Sequence, residues 1–191
     1  MPDALVTMDS RMRRYMQVLL LPLALVVCRA ATLEKLTLDE MVQQSTAIVR
    51  GKVVGSRASE RGPLVYTHWR IQVSERWKGE SGSQVEVVTP GGTVNGTRQV
   101  FPGVPALAEG AEYVMFLWTA KTSKLTHVIG LSQGLFDLKM DGSGSPTLSR
   151  PASTEIMLDP KTGRQVDDEP VRMRLSELSS RIQRVLGSAG R

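Results

Sequence analysis

The longest regular feature of the sequence is an alternation of apolar and polar residues between Thr46 and Lys78. In its second half, one side is mostly apolar or β-branched: Val65, Thr67, Trp69, Ile71, Val73 and Glu75. The other side is polar: Tyr66, His68, Arg70, Gln72, Ser74 and Arg76. A period of two over this length, rich in β-branched and aromatic residues, is typical of strands with one buried face.

Glycine and proline mark where this stretch turns. Gly62 and Pro63 separate its two halves, because glycine permits a positive φ and proline fixes φ and removes a backbone donor. Gly51 and Gly55 interrupt the first half and predict a bulge or sharp bend, as strands need at the corners of a barrel. Two long strands joined by a short turn are therefore predicted.

The other elements follow from shorter patterns. Thr37 and Glu40 have the spacing of a capping box and predict a helix over Leu38–Gln44. Further strands are predicted at 84–89, 98–101, 112–120 and 171–175, and a hairpin at 126–131 and 134–139. A C-terminal amphipathic helix that ends at Gly187 is predicted by the helical spacing of Leu175, Leu178, Ile182, Val185 and Leu186.

This order of elements predicts a mainly β fold. The predicted architecture is a small OB-like Greek-key barrel with a short N-terminal helix and a C-terminal amphipathic helix. The predicted organisation is a signal peptide at 1–31, the barrel domain at 32–140, a linker or irregular segment at 141–170, and a C-terminal strand and helix at 171–191.

Residues 1–31 have the composition of an export signal. Three arginines in 11–14 precede an apolar run of eleven residues, Val18–Cys28, which is too short for a membrane span of about 20 residues. Cleavage near Ala31 gives a secreted or periplasmic protein. Three alternatives stay open, namely a lipoprotein lipidated at Cys28, a twin-arginine signal and a buried N-terminal helix.

Charge and cysteine content exclude several classes of protein. The net charge is +5, and it falls to +3 without residues 1–31, which hold four Arg and two Asp. This balance does not by itself indicate a nucleic acid or an anionic membrane. The single cysteine, Cys28, lies in the leader, so the mature chain has no disulfide and no thiolate zinc site. No cofactor is predicted.

The predicted binding residues are Tyr66, His68, Arg70 and Arg76, on the polar side of the second strand. One interpretation is a face for a protein or glycan outside the cytoplasm, and the alternative is a solvated face with no partner. OB barrels also bind single-stranded nucleic acid by stacking bases on aromatic rings in a basic groove, but export argues against that partner. Membrane contact is expected only if Cys28 is lipidated.

The two histidines of the chain, His68 and His127, are the candidates for metal or catalytic chemistry. A metal site would use both histidines together with a carboxylate such as Glu75 or Asp137. A hydrolase would use His68 or His127. The sequence has neither the i, i+4 histidine pair of a zinc helix nor a G-x-S-x-G string. A Ser/His/Asp triad needs residues that any such chain contains, so no catalytic or metal-binding residue is predicted.

Three strings resemble the netrin-like (NTR) domain family, which includes the tissue inhibitors of metalloproteinases. They are STAIVRGKVVG at 45–55, VSERWKG at 73–79 together with 85–89, and EGAEYVMFL at 109–117. The resemblance implies an OB-type barrel. That family usually carries disulfides, and its inhibitors chelate the protease metal with an N-terminal cysteine, which the mature chain lacks unless cleavage falls before Cys28. The chain is more similar to uncharacterised exported bacterial proteins with this strand pattern, and no activity follows from that resemblance.

The predicted function is therefore an exported non-enzymatic binding or structural module. It presents either the face that carries Tyr66 and Arg70, or the loop Thr93–Pro105, to its partner. Two alternatives stay open. One is a histidine-dependent hydrolase or metal-binding enzyme, and the other is an OB-type nucleic-acid binder, whose affinity falls steeply with salt.

We expect the protein expressed with its own leader to appear in the soluble exported fraction with a mass that begins near Ala31. Intact mass spectrometry of the exported, membrane and cytosolic fractions measures this. A mass that begins at Cys28 with added lipid would identify a lipoprotein instead, and an uncleaved cytosolic chain would contradict export.

Overall fold

The computed structural model describes residues 32–105 and 107–189, so the predicted leader over 1–31 lies outside the described residues. Two helices occur in the described part, α1 (Leu38–Gln44) and α2 (Leu175–Ala189). The strands are β1 (Thr32–Glu34), β2 (Ala47–Arg61), β3 (Leu64–Lys78), β4 (Gln84–Pro90), β5 (Gly92–Val94), β6 (Thr97–Gln99), β7 (Glu112–Thr119), β8 (Thr126–Val128), β9 (Leu135–Met140), β10 (Pro146–Arg150), β11 (Ile156–Leu158), β12 (Gln165–Val166) and β13 (Val171–Arg174).

Strands β2 and β3 form the predicted long hairpin. Each has 15 residues, and Arg61 pairs with Leu64 across the two-residue turn, where Gly62 has a φ of +61°. The ladder shifts register beside each of the two glycines that interrupt β2. The hairpin, its turn and its irregularities are therefore confirmed.

This hairpin lies within an open eight-stranded sheet. The strand order is β13-β10-β9-β7-β2-β3-β4, and β8 pairs with the part of β7 beyond β9. The fold is mainly β, as predicted, and the ladders of the described residues do not close into a barrel. Two small sheets, β1-β11-β12 and β5-β6, accompany the large one.

The edge of β4 approaches β8 without forming a ladder. The imidazole Nδ1 of His127 in β8 lies 2.8 Å from the backbone oxygen of Val88 in β4. Side chains of β2, β3, β4, β8 and β7 share one apolar cluster, and β4 and β8 are joined by this side-chain hydrogen bond rather than by a ladder.

Apolar side chains pack on both faces of the sheet. The inner core, inside the curve of β2, β3, β4, β8 and β7, includes Val49, Val53, Ile71, Val87, Met115 and Leu117. The outer core, under the helices, includes Val42, Ile48, Phe116, Phe136, Leu148, Leu178 and Ile182. Successive side chains of a strand point to opposite faces, so β7 contributes to both cores. This explains why β7 is the most apolar strand of the sequence.

Helix α1 begins at the predicted capping box. The backbone N–H of Glu40 donates to Thr37 Oγ1 at 3.2 Å, and the N–H of Thr37 donates to Glu40 Oε2 at 2.8 Å. Met41 and Val42 are buried, so this helix covers the outer core.

Helix α2 packs beside α1 with its predicted apolar stripe inward. Leu178 and Ile182 are fully buried, Trp77 Nε1 donates to Ser179 Oγ at 2.9 Å, and Arg181 Nε donates to Asp39 Oδ1 of α1 at 2.8 Å. The helix continues past the predicted end at Gly187. No helix of the described residues is long and apolar enough to cross a membrane.

Residues 141–170, predicted as a linker or irregular segment, contain β10, β11 and β12. Strand β10 belongs to the large sheet, where it pairs with β9 and β13. The Gly- and Ser-rich composition comes from the turn before β10, in which Asp141 Oδ1 accepts the N–H groups of Ser143 and Ser145 at 2.9 Å. A composition that favours a turn does not distinguish a hairpin from a linker.

Strands β8 and β9 do not form the predicted hairpin with each other. Both pair with β7, at different positions along it. Between them lies Gln133, which is 2% exposed. Its amide donates to Glu34 O and accepts from the N–H of Leu36, each at 2.8 Å, so this connection binds the segment between β1 and α1 instead.

Gly51 in β2 has no room for a side chain, and we expect Gly51→Ala to lower the free energy of unfolding by about 1–3 kcal/mol. An added Cβ would lie 2.6 Å from both Gln72 O and Ile71 Cγ2. Urea unfolding followed by circular dichroism measures the change. The control is Gly142→Ala, where an added Cβ would meet no heavy atom within 4 Å apart from those of Gly142 and its chain neighbours, and where we expect a change within about 0.5 kcal/mol. Equal stability of the two variants would contradict the packing argument.

Candidate functional site

The outer face of β2, β3 and β4 brings four polar side chains together from three adjacent strands. The pairing places Arg57 opposite His68, and Arg70 opposite Glu86. Side chains two positions apart in a strand share a face, so Ser59 of β2 and Glu86 of β4 lie diagonally on either side of His68. We call Arg57, Ser59, His68 and Glu86 the outer-face network.

His68 is the centre of this network and is bonded at both ring nitrogens. Its Nε2 lies 2.9 Å from Ser59 Oγ, and its Nδ1 lies 2.8 Å from Glu86 Oε1. The other oxygen of the Glu86 carboxylate accepts from Arg57 Nη2 at 3.0 Å. The His68 side chain is 13% exposed, against 48% for Glu86, so the imidazole is shielded while its charged partner contacts solvent.

The protonation of the network follows from Glu86. The hydrogen bond from His68 lowers the pKa of Glu86, burial opposes this, and Arg57 lowers it further. Glu86 is therefore an ionised carboxylate at neutral pH and can only accept hydrogen bonds. His68 must then carry a proton on Nδ1, and in the neutral ring its Nε2 accepts a hydrogen bond from the Ser59 hydroxyl.

Three of the four predicted binding residues lie on this face. His68 belongs to the network, Tyr66 pairs with Ser59, and Arg70 is exposed and pairs with Gly55 on one side and Glu86 on the other. The face therefore combines a half-buried aromatic ring with an exposed cation and a bonded polar group.

Arg76 does not lie with the other three. Glu75 pairs with Arg50 and Val73 pairs with Gly51, which leaves Ser74 as an extra residue in β3. Such a β-bulge reverses the alternation of faces beyond it. Arg76 instead donates to Gly82 O at 3.1 Å at the far end of the strand. The prediction that Arg76 shares a face with Tyr66, His68 and Arg70 assumed an alternation without a bulge and is wrong.

The structure does not assemble the metal site considered from the sequence. His68 bonds Glu86 rather than Glu75, and His127 bonds the backbone of Val88. Across residues 32–105 and 107–189, no three His, Cys, Asp or Glu side chains are placed to hold a metal ion. Asp137 lies elsewhere, at the cleft described below.

Sequence reasoning missed Ser59, Arg57 and Glu86. The first two could have been found, because a two-residue turn at Gly62–Pro63 fixes the cross-strand partners of β3 by counting back along β2. Glu86 could not, because the connection of residues 79–83 does not define the register of β4 against β3.

A second polar feature is a cleft of about 500 Å³ between the loop 103–105 and the segment 150–154. At its wall, Arg150 and Asp168 form a bidentate ion pair at 2.6 and 3.1 Å, with side chains 9% and 3% exposed. Asp168 also accepts the N–H of Ser153 at 2.8 Å. The guanidinium charge is thus matched within the protein, and the pair fixes one side of the cleft.

Comparison of the chain with protein-family models, with curated proteins and with solved structures gives no match.

The ion pair of Asp168 predicts a loss of stability in acid. Burial raises the pKa of Asp168, but the hydrogen bonds from Arg150 and Ser153 outweigh it and hold this pKa below its ordinary value of 3.8. A lowered pKa stabilises the fold above the unfolded pKa, and that stabilisation is lost as pH falls through the folded pKa. We expect the free energy of unfolding to fall below about pH 4, as measured by urea titrations at a series of pH values.

Asp168→Asn and Asp167→Asn separate this effect from general acid sensitivity. We expect Asp168→Asn to cost about 3–5 kcal/mol at neutral pH, because it leaves Arg150 buried without a counter-charge, and to flatten the pH dependence. The neighbouring Asp167 is exposed, and its carboxylate takes no part in the Arg150–Asp168 pair. Asp167→Asn should therefore keep the wild-type dependence of stability on pH. A wild-type profile in Asp168→Asn would refute the assignment.

Proposed function

We propose that the protein is an exported binding module that contacts its partner through the outer face of β2, β3 and β4. The observation that carries this proposal is the outer-face network, which stands beside Tyr66 and Arg70 on a solvent-facing part of the sheet. Tyrosine and arginine are the side chains that most often dominate binding energy at interfaces.

The network supports binding because it fixes its members before a partner arrives. Ser59, His68, Glu86 and Arg57 are joined by three hydrogen bonds of 2.8–3.0 Å, and each side chain stands on a paired strand. Side chains that are already ordered lose less conformational entropy on association, so more of their interaction energy contributes to affinity.

The charges of this face favour a protein or a glycan over a nucleic acid. Arg57 is paired with Glu86 at 3.0 Å, so a carboxylate stands beside the cations. A phosphate backbone gains affinity from cations that release its counterions and is repelled by a carboxylate. A protein or glycan surface that offers both donors and acceptors matches a face of mixed charge.

We also propose that the sheet is an OB-like Greek-key barrel of the netrin-like type whose seam lies between β4 and β8. Support comes from the shared inner core of β2, β3, β4, β8 and β7 and from the hydrogen bond of His127 at the seam. OB folds bind ligands on the face of their second and third strands. The proposed barrel begins at β2, because β1 belongs to a separate small sheet. Its second and third strands are therefore β3 and β4, which carry Tyr66, His68, Arg70 and Glu86.

The double variant Tyr66→Ala/Arg70→Ala tests this face. The wild-type protein is used as bait with the exported fraction of the source cells, and the affinity of each captured partner is then measured by biolayer interferometry. We expect the double variant to bind about 100-fold more weakly, since two residues of an interface centre are removed.

The control variant Arg172→Ala/Arg184→Ala removes two exposed cations from β13 and α2, away from this face, and should bind like wild type. Unchanged affinity of the Tyr66→Ala/Arg70→Ala variant for every captured partner would exclude the face as the binding surface.

A further inference from the structure

The order of contacts in the outer-face network is that of a nucleophile, a base and an orienting carboxylate. Ser59 Oγ is 2.9 Å from His68 Nε2, and His68 Nδ1 is 2.8 Å from Glu86 Oε1. Hydrolases with a serine nucleophile use this sequence of atoms on unrelated folds, and they are recognised by geometry rather than by chain position. We infer that Ser59 is an activated nucleophile that accepts an acyl group from small activated esters.

The protonation states suit this role. Because Glu86 is an ionised carboxylate, it accepts the proton that His68 carries on Nδ1, so Nε2 is the nitrogen without a proton in the neutral ring. The Ser59 hydroxyl therefore points its proton at the one nitrogen that can remove it. A hydroxyl is a weak nucleophile at neutral pH unless an adjacent base takes its proton.

The surroundings of His68 distinguish this serine from other serines of the sheet. The imidazole is 13% exposed and is held from both sides, by β2 and by β4, so its position does not depend on solvent. Ser56 lies on the same strand, but its Oγ donates to Glu109 Oε1 at 2.7 Å and not to a histidine. Ser56 is therefore a matched internal control.

The step balances with the groups present. Ser59 Oγ bonds to the carbonyl carbon of the ester while His68 Nε2 takes the hydroxyl proton. The bond from that carbon to the leaving oxygen breaks, the oxygen keeps the electron pair, and the imidazolium returns the proton to it. Water then repeats the sequence on the acyl-serine, which releases the carboxylic acid and restores Ser59. Since the face is an open sheet surface, it suits a small acyl group.

The full-length protein is treated with a fluorophosphonate probe and, separately, with p-nitrophenyl acetate. Peptide mapping by mass spectrometry locates the adduct, and release of p-nitrophenolate gives the rate. We expect modification of Ser59 to be at least about 100-fold faster than that of Ser56, which is the lower range of general-base catalysis.

Three variants assign the roles, with circular dichroism confirming that each is folded. Ser59→Ala should abolish the adduct, and His68→Gln should slow it about 100-fold. Glu86 acts through His68 and is a positioning residue. Glu86→Gln should slow the adduct of Ser59, but it should not slow it further when His68→Gln is already present, because the effects of residues that act as a unit are not additive.

Two results would overturn the inference. One is a folded protein in which Ser59 reacts no faster than Ser56, and the other is a Ser59 adduct whose rate is unchanged in His68→Gln. The inference does not depend on the proposed partner, because the assay uses only the probe and the ester. The two proposals can therefore fail separately: the probe and the ester report on Ser59, and the partner affinity reports on the proposed binding face.

Discussion

The pairing of β2 with β3 is the interaction on which the rest of the structure depends. β7 adds to one edge of this hairpin and β4 to the other, and the remaining strands extend that order. The two-residue turn and the apolar inner face fix the register, because a slip by one residue would move Ile71 out of the inner core. The same register places Ser59 beside His68, so the candidate site follows from the pairing of these two strands.

Because of the bulge at Ser74, strand β3 contributes side chains to both cores. Before it, Val73 packs against the inner core, and after it Trp77 packs against the outer core and donates a hydrogen bond to Ser179 of α2. Uninterrupted alternation would put both residues on one face. The same irregularity that removes Arg76 from the outer face of β2, β3 and β4 therefore docks the C-terminal helix on the sheet.

Sequence patterns predicted the elements whose signal is local. The hairpin, the capped helix at Leu38–Gln44 and the stripe of α2 follow from periodicity or from residues three or four apart. The patterns did not predict the pairing of β8 and β9 with β7, or the Arg150–Asp168 pair, because these contacts join distant residues. Alternation places Tyr66, His68 and Arg70 on one face, whereas the position of Glu86 depends on a register that only the fold determines.

Strand β2 is paired on both edges along only part of its length, and this affects the behaviour of the protein in solution. β7 pairs with β2 only from Ala47 to Lys52. Within the described residues, no strand pairs with this edge of β2 beyond Lys52. Uncovered edges invite pairing with a second copy and thus aggregation. Exposed charged side chains lie on this part of β2, namely Arg57, Glu60 and Arg61. Charged side chains oppose such edge-to-edge contact. The charges on the half of the hairpin that carries the candidate site therefore disfavour edge-to-edge pairing of two copies.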